Sequence, residues 1–155
     1  MTESSPGPLG AGRRRHMIVG DVHLLLMNAS GAVLFGQRQN TGYADGAWHL
    51  PSGHLETGES VIAALIREAR EGIGVAIDER DVEFAHVMHN SSGGGRVAFF
   101  FVVRSWAGEL ENREPNKCSR LDWFSLSNLP YDLIPYCRAG LEWIAVNHCF
   151  SLYGW

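Results

Sequence analysis

Four carboxylates, Glu56, Glu59, Glu68 and Glu71, fall within 16 consecutive residues. The first two belong to a glycine-containing loop and the last two to a segment with helical periodicity. Glu68 and Glu71 are three apart and share one helix face, and Arg67 and Glu71 are four apart and can pair. Carboxylates gathered in this way repel one another unless a cation lies among them. Oxygen-only donors without Cys or His suit a hard ion, Mg²⁺ or Mn²⁺. Such ions keep waters and bind phosphate oxygens. The natural client is then a phosphate ester or anhydride, with a water readied for attack. Against this stands the ordinary behaviour of helix-surface acids, which are usually just solvated. An exposed Arg67–Glu71 pair would be worth only a few tenths of a kcal/mol.

The elements that must position these groups can be read around them. Over residues 60–69 the apolar side chains Val61, Leu65 and Ala69 recur at i, i+4 and i+8, with Ile62 and Ile66 beside them, which predicts a helix with one core face. Gly72 and Gly74 end it or loosen its last turn. Residues 17–27 read as a buried strand. The turn signal at 28–31 is followed by a partner strand over 32–37, together a hairpin. A loop over 40–46 leads to a short strand at 48–50, ended by Pro51. Residues 82–89 and 96–106 form a second hairpin across the loop 90–95. A short strand at 121–124 and a helix over 135–146 complete the chain. Strands interrupted by a central helix predict an α/β (α+β) layer fold, a mixed sheet with helices packed on it.

Length and composition bound the rest. The chain has 155 residues, of which 45% are hydrophobic and 19% charged, with a net charge of −4. That is one globular domain, large enough to bury a core without staples. Lys117 is the single lysine among 13 cations. The acidic balance argues against an extended nucleic-acid partner, whose backbone needs many cations on one face. No apolar run approaches the ~18 residues of a membrane span. Cys118, Cys137 and Cys149 are odd in number and hold no C-x-x-C pair, which points to a reducing, cytoplasmic compartment. Residues 1–16, rich in Gly, Pro and Ser and carrying Arg13, Arg14 and Arg15, read as a disordered leader. Residues 17–155 are then the domain.

The spacing of residues 53–75 resembles the Nudix box: Gly, five residues, Glu, seven residues, then Arg-Glu-apolar-x-Glu-Glu-x-Gly-apolar. Gly53, Glu59, Arg67, Glu68, Ala69, Glu71, Gly74 and Val75 match at the required intervals. Leu50-Pro51-Ser52-Gly53 looks like the family's usual approach to the box, and the likeness extends from residue 17 to about residue 146. The resemblance implies a Nudix-type α/β/α sandwich around a mixed β-sheet. It also implies a Mg²⁺- or Mn²⁺-dependent hydrolase of a phosphoanhydride bond in a nucleoside triphosphate or nucleoside diphosphate derivative. By the same resemblance, Glu68 is a base or metal ligand, Glu71 a metal ligand, and Gly53 offers its carbonyl to the metal. Arg67 orients the glutamates, Glu59 braces the loop, and Glu56 is a further carboxylate for the metal.

One position departs from the family pattern. Gly72 stands where the second Glu of the pair belongs, commonly a principal ligand. Water, Glu56 or a loop carboxylate can fill the gap, since hard ions accept water readily. Arg120 stands where relatives often carry an acid before a Trp-Phe pair, which leaves Glu114 or Asp122 for that part. Two other functions stay open: a ligand-binding or weakly active domain that has lost hydrolysis through Gly72, and a biosynthetic hydrolase of a non-nucleotide diphosphate.

Outside the box, Tyr43 and Trp48 could stack on a base, though such residues as often close a core. Arg38, beside the 40–46 loop, and His89, at a strand end, are further substrate-binding candidates. His86 and His89 are three apart on a strand, point to opposite faces and do not make a shared metal site. The partner expected is a small phosphoanhydride, with no membrane; homodimer contacts are left open.

Overall fold

The computed structural model describes residues 14–155. The expected leader lies largely outside these residues; of it, only 14–16 are described, as exposed coil, with His16 Nε2 2.7 Å from the Gly94 carbonyl oxygen. Two sheets and two helices make up the fold. The larger sheet contains β1 (Val19–Leu26), β4 (Ser52–His54), β5 (Val82–Asn90), β6 (Arg96–Val103) and β8 (Phe150–Tyr153), in the order β4-β1-β6-β5-β8. The smaller contains β2 (Ala32–Arg38), β3 (Trp48–His49) and β7 (Cys118–Ser125), in the order β3-β2-β7. In the larger sheet β1 runs parallel to β6 and β5 parallel to β8, while the other pairs are antiparallel, so the sheet is mixed.

Helix α1 (Val61–Ile73) covers one face of the larger sheet and α2 (Pro135–Ala145) the other, the sandwich expected. Side chains alternate along β1. Val22, Leu24 and Leu26 meet Ala64, Leu65, Ala69 and Ile73 of α1, whereas Leu25 joins Phe100, Cys137 and Leu141 in the core beneath α2. Strands buried on both faces in this way read as near-continuous apolar runs, which is how residues 22–26 read.

Two expectations need correction. First, residues 17–27 and 32–37 do not form a hairpin. After a tight turn closed by Gly31 N–H to Asn28 O (3.0 Å) and one bridge, Met27 to Val33, the strands part into different sheets. β1 takes β6 as its long neighbour and β2 takes β7. Helix α1 ends at its glycines, as their position predicts. It is capped at Ser60, whose side chain accepts from the Ala63 N–H, and it runs through Gly72 to Ile73. Gly74 then adopts the left-handed conformation (φ 72°) that closes it. Second, residues 150–153, not expected as a strand, add β8 to the edge beside β5. The strand expected over 96–106 ends at Val103, and the one expected over 121–124 spans Cys118–Ser125.

Candidate active site

The loop between β4 and α1 returns to the helix through Arg67. Its Nε and Nη2 donate to the two oxygens of Glu59 (2.7 and 2.9 Å), a bidentate pair. Nη1 donates to Glu68 Oε1 (2.8 Å) and Glu71 Oε2 (3.2 Å), and Nη2 reaches the His54 carbonyl (3.1 Å). Glu59 Oε1 also accepts the Glu56 N–H (3.0 Å). One guanidinium therefore ties loop and helix together. The Arg67 hydrogen bonds hold the Glu59 carboxyl down at about 2, and that carboxylate pushes Arg67 up. Glu56 is outside this bidentate pairing, exposed and 3.6 Å from Arg67 Nη1.

Gly53 is a glycine for a steric reason. A Cβ placed there would lie 2.1 Å from the Glu68 carboxyl carbon, so the carboxylate rests directly against the Gly53 backbone. Half-burial raises the pKa of Glu68; Arg67 opposes the rise, and the negative charges of Glu71 and Glu114 add to it. Glu68, Glu71, Gly72 and Glu114 line the same cleft. At Gly72 a Cβ would meet only Glu114 Oε2, at 4.0 Å. A carboxylate of the segment before β7 is thus brought beside Gly72. Asp122 is instead turned back on the strand, its Oδ1 accepting the Trp123 N–H.

The donors fit a hard divalent ion in type: the Gly53 carbonyl with Glu68, Glu71 and Glu114, all oxygen. Among the described residues no three acidic, His or Cys side chains are already gathered closely enough to hold an ion. Glu71 is half exposed, with one oxygen tied to Arg67 Nη1. Mutual repulsion of the three carboxylates is the electrostatic signature a cation would relieve.

The cleft of about 890 Å³ continues from these acids to a polar wall opposite. Buried Asp21 receives Arg96 through Nε and Nη2 (2.9 and 2.8 Å) and pairs with His54 Nδ1 (2.6 Å), its antiparallel neighbour in register. His49, buried next to Leu50, contacts Tyr136 Oη through Nε2 (2.5 Å). Sequence reasoning missed this wall. Its members are paired across 33 to 87 positions of sequence, and no local spacing signals them.

The remaining candidates divide. Arg38 and Tyr43 line the cleft, with the Arg38 guanidinium 5.4 Å from the Tyr43 ring centre and Nε donating to the Tyr43 carbonyl (2.9 Å). Asp45 fixes their loop by accepting from Thr41 and Gly42. Trp48 and His89 are not brought into the cleft. Trp48 is 5% exposed, packed edge-on against Phe124 and covered by Arg120. His89 packs on Trp155, ring centres 4.6 Å apart. His86 is engaged by the His148 carbonyl and Ser151.

A family model described as the NUDIX domain matches residues 17–144. The 8-oxo-dGTP diphosphatase of Proteus vulgaris is 30% identical over 82 residues, 53% of this chain and 72% of that protein. The RNA pyrophosphohydrolase of Roseobacter denitrificans is 44% identical over 95 residues, 60% of this chain and 55% of that protein. The human 8-oxo-dGDP phosphatase NUDT18 is 29% identical over 90 residues, and the match spans only 27% of its length. Among solved structures, a MutT NUDIX hydrolase from Burkholderia pseudomallei superposes with a TM-score of 0.72 at 26% identity, over 81% of this chain and 97% of that one. The E. coli ORF135 protein superposes at 0.70 with 25% identity, covering 90% and 94%. With the box residues gathered by Arg67 at the start of the cleft and the family match running from residue 17 to residue 144, the chain belongs to the Nudix family.

Proposed function

We propose that this chain hydrolyses a phosphoanhydride bond in a nucleoside triphosphate or nucleoside diphosphate derivative, using Mg²⁺ or Mn²⁺, in the cytoplasm. The observation that carries the reading is the Glu68 carboxylate seated against the Gly53 backbone, with Glu71 and Glu114 on the same cleft wall. Gly53, Glu68, Glu71 and Glu114 would hold the ion, which when bound would neutralise phosphate charge and lower the pKa of a water. Arg67 keeps Glu68 Oε1 and Glu71 Oε2 in place, which leaves Glu68 Oε2 either to bind the ion or to accept a proton from the attacking water. Glu59 braces Arg67. Arg96, held by buried Asp21, and Arg38 supply positive charge for phosphate oxygens on the opposite side.

Gly72 favours a second reading, a binding domain that has lost hydrolysis. Release of phosphate and pyrophosphate from a panel of nucleoside triphosphates, nucleotide sugars and dinucleotides separates the two. The panel is run with Mg²⁺, Mn²⁺ or EDTA, on the parent, Glu71→Gln and Gly72→Glu. Parent turnover should be abolished by EDTA and reduced about 100-fold or more in Glu71→Gln, beyond the loss typical of an outer-shell partner. A silent parent beside an active Gly72→Glu would establish the binding domain. Equal turnover by Glu71→Gln and the parent would refute the site.

A further inference from the structure

Helix α1 packs chiefly on β1 and β4, at one side of the larger sheet. Among the described residues the same face is left open over β5 and β8, where Phe84, Phe150, Leu152 and Trp155 are 56–70% exposed. Register puts these side chains on one surface. Phe150 is level with Val87 of β5 and Phe99 of β6, and Leu152 is level with His89 and Val97. Phe84 is level with Phe101 and meets its ring edge-on, centres 6.2 Å apart. Trp155 lies on His89 at the other end and donates its indole N–H to the His89 carbonyl (3.0 Å). Phe99 and Phe101 belong to the core beneath α1, whereas Met88 and Phe100 belong to the one beneath α2, so the surface is the α1 side of the sheet. None of these residues lines the cleft.

The chemistry of the surface narrows its occupant. A nucleic acid or an anionic membrane would find no lysine or arginine among these side chains, and the net charge of −4 repels both. Residues 1–13 hold only Met1 and Leu9 as large apolar side chains, too few to cover it. A flat apolar sheet face is matched by another such face about 10 Å away, and this chain carries one. In the row Phe150, Val87, Phe99 the small side chain stands between two phenyl rings, which leaves a furrow over β5 where a second Phe150 can rest. The open layer is at the height that α1 fills over β1 and β4. A second copy, turned about a two-fold axis along the strands, sets its own β5 and β8 there beside α1.

The area suffices for this. Phe84, Phe150, Leu152 and Trp155 together present about 450 Å² of apolar side chain per copy. Two copies joined symmetrically bury about 1,000 Å² once the surrounding Val87, Val97 and Phe99 are included, the size expected of a specific interface. Contiguous apolar patches of more than a few hundred Å² are rare on chains that stay monomeric.

We propose that the α1-side face of β5 and β8 is a homodimer interface, where two copies of this chain pack face to face through Phe150 and Leu152. It stands whether or not the cleft hydrolyses anything. Sedimentation equilibrium of the full chain, from about 1 to 100 μM, should show monomers and dimers in exchange. Phe150→Glu and Leu152→Glu each set a charge in the middle of the interface and should weaken association about 30-fold or more. Tyr131→Glu alters an exposed aromatic outside this face and the cleft, and should dimerise like the parent. In a mixture of ¹³C-labelled and unlabelled parent, the Val87 methyl groups should show magnetisation transfer to a phenyl ring of the other copy. Should a charged variant fail to fold, that transfer decides alone.

The proposal is overturned if the parent stays monomeric throughout, or if both charged variants dimerise like the parent, which would put the contact elsewhere. Phe150-dependent binding of a monomer to phosphatidylcholine vesicles would give the face to a lipid surface. Transfer from the Phe150 ring to residues 1–13 within a monomer would give it to the N-terminal segment. Either result overturns the dimer.

Discussion

Gly72 lies on the cleft wall beside Glu114, and substitutions there have effects on stability and ion response that can be worked out. It lies inside α1, one residue before the helix ends, and an added Cβ would touch nothing nearer than Glu114 Oε2 at 4.0 Å. Room is therefore not the issue. Glycine in a helix interior costs roughly 0.5–1 kcal/mol relative to alanine, and a position in the last turn falls at the low end. Gly72→Ala should raise the melting temperature by about 1–4 °C for a chain of this size. Gly72→Glu gains most of the same backbone term but sets a fourth negative charge among Glu68, Glu71 and Glu114. At about 5 Å in well-solvated surroundings one such repulsion costs about 1 kcal/mol, enough to cancel the gain. In EDTA the order of stability should be Gly72→Ala, then the parent with Gly72→Glu level or below it. Saturating Mg²⁺ should reverse the last two. A tenfold gain in ion affinity adds about 1.4 kcal/mol of stabilisation, so Gly72→Glu should show the larger Mg²⁺-induced rise. Differential scanning calorimetry of the three proteins with EDTA or Mg²⁺ reads all of this. An equal Mg²⁺ response in Gly72→Glu and the parent would refute the placement of the ion beside residue 72. A Gly72→Ala protein melting below the parent would refute the helix argument.

Other substitutions separate holding the fold from making the site. Gly53→Ala should displace the Glu68 carboxylate, which Arg67 otherwise holds against that backbone, and reduce hydrolysis about 100-fold or more; an active Gly53→Ala would mean Glu68 is not where chemistry happens. His49, held at about 4 by burial, is neutral in the folded chain and protonates more readily in the unfolded one. Its contribution is complete above about pH 6.5 and is lost as pH falls toward 4. Urea unfolding at pH 7 and pH 4.5 should show the parent losing about 2–3 kcal/mol more than His49→Gln, and parallel losses would refute the assignment. Glu59, held at about 2 by Arg67, gives stability that is present above about pH 4.5 and lost on acidification through 2; melting curves of Glu59→Gln should therefore be flatter than the parent's over that interval.

Local pattern made α1 legible. Three apolar side chains at four-residue steps define one face, Ser60 supplies the cap, and Gly74 supplies the left-handed residue that closes the helix. The end of α1 was harder to read, since Gly72 is a poor helix former that the structure nevertheless keeps helical. The β1–β2 turn was legible and its consequence was not. Asn28 closes the turn through its side chain, accepting from Ser30 and Ala32, but what the strands do next is decided by distant partners. β1 is buried on both faces and gains most by lying parallel to β6 along eight paired positions, a choice no hairpin signal foretells. β8 was missed because Phe150 and Leu152 face outward, which leaves a four-residue strand without an inward apolar stripe to announce it.

The site shows the same division between sequence-local and sheet-made structure. Its acidic half was readable because loop and helix adjoin in sequence, so that spacing alone brings Glu59, Glu68 and Glu71 to Arg67. Its other half depends on register. Asp21 faces His54 across β1 and β4, and His23 faces Ser52 in the same pairing. Alternation along β1 turns Asp21 and His23 to the α2 side and Val22 and Leu24 to the α1 side. A slip of one residue would exchange the two sets. It would bury Asp21 against Leu65 and Ala69 and put leucine where the cleft now offers imidazole. The apolar demand of α1 therefore fixes the polar wall opposite it. The strand that completes the core also sets which side chains face the cleft.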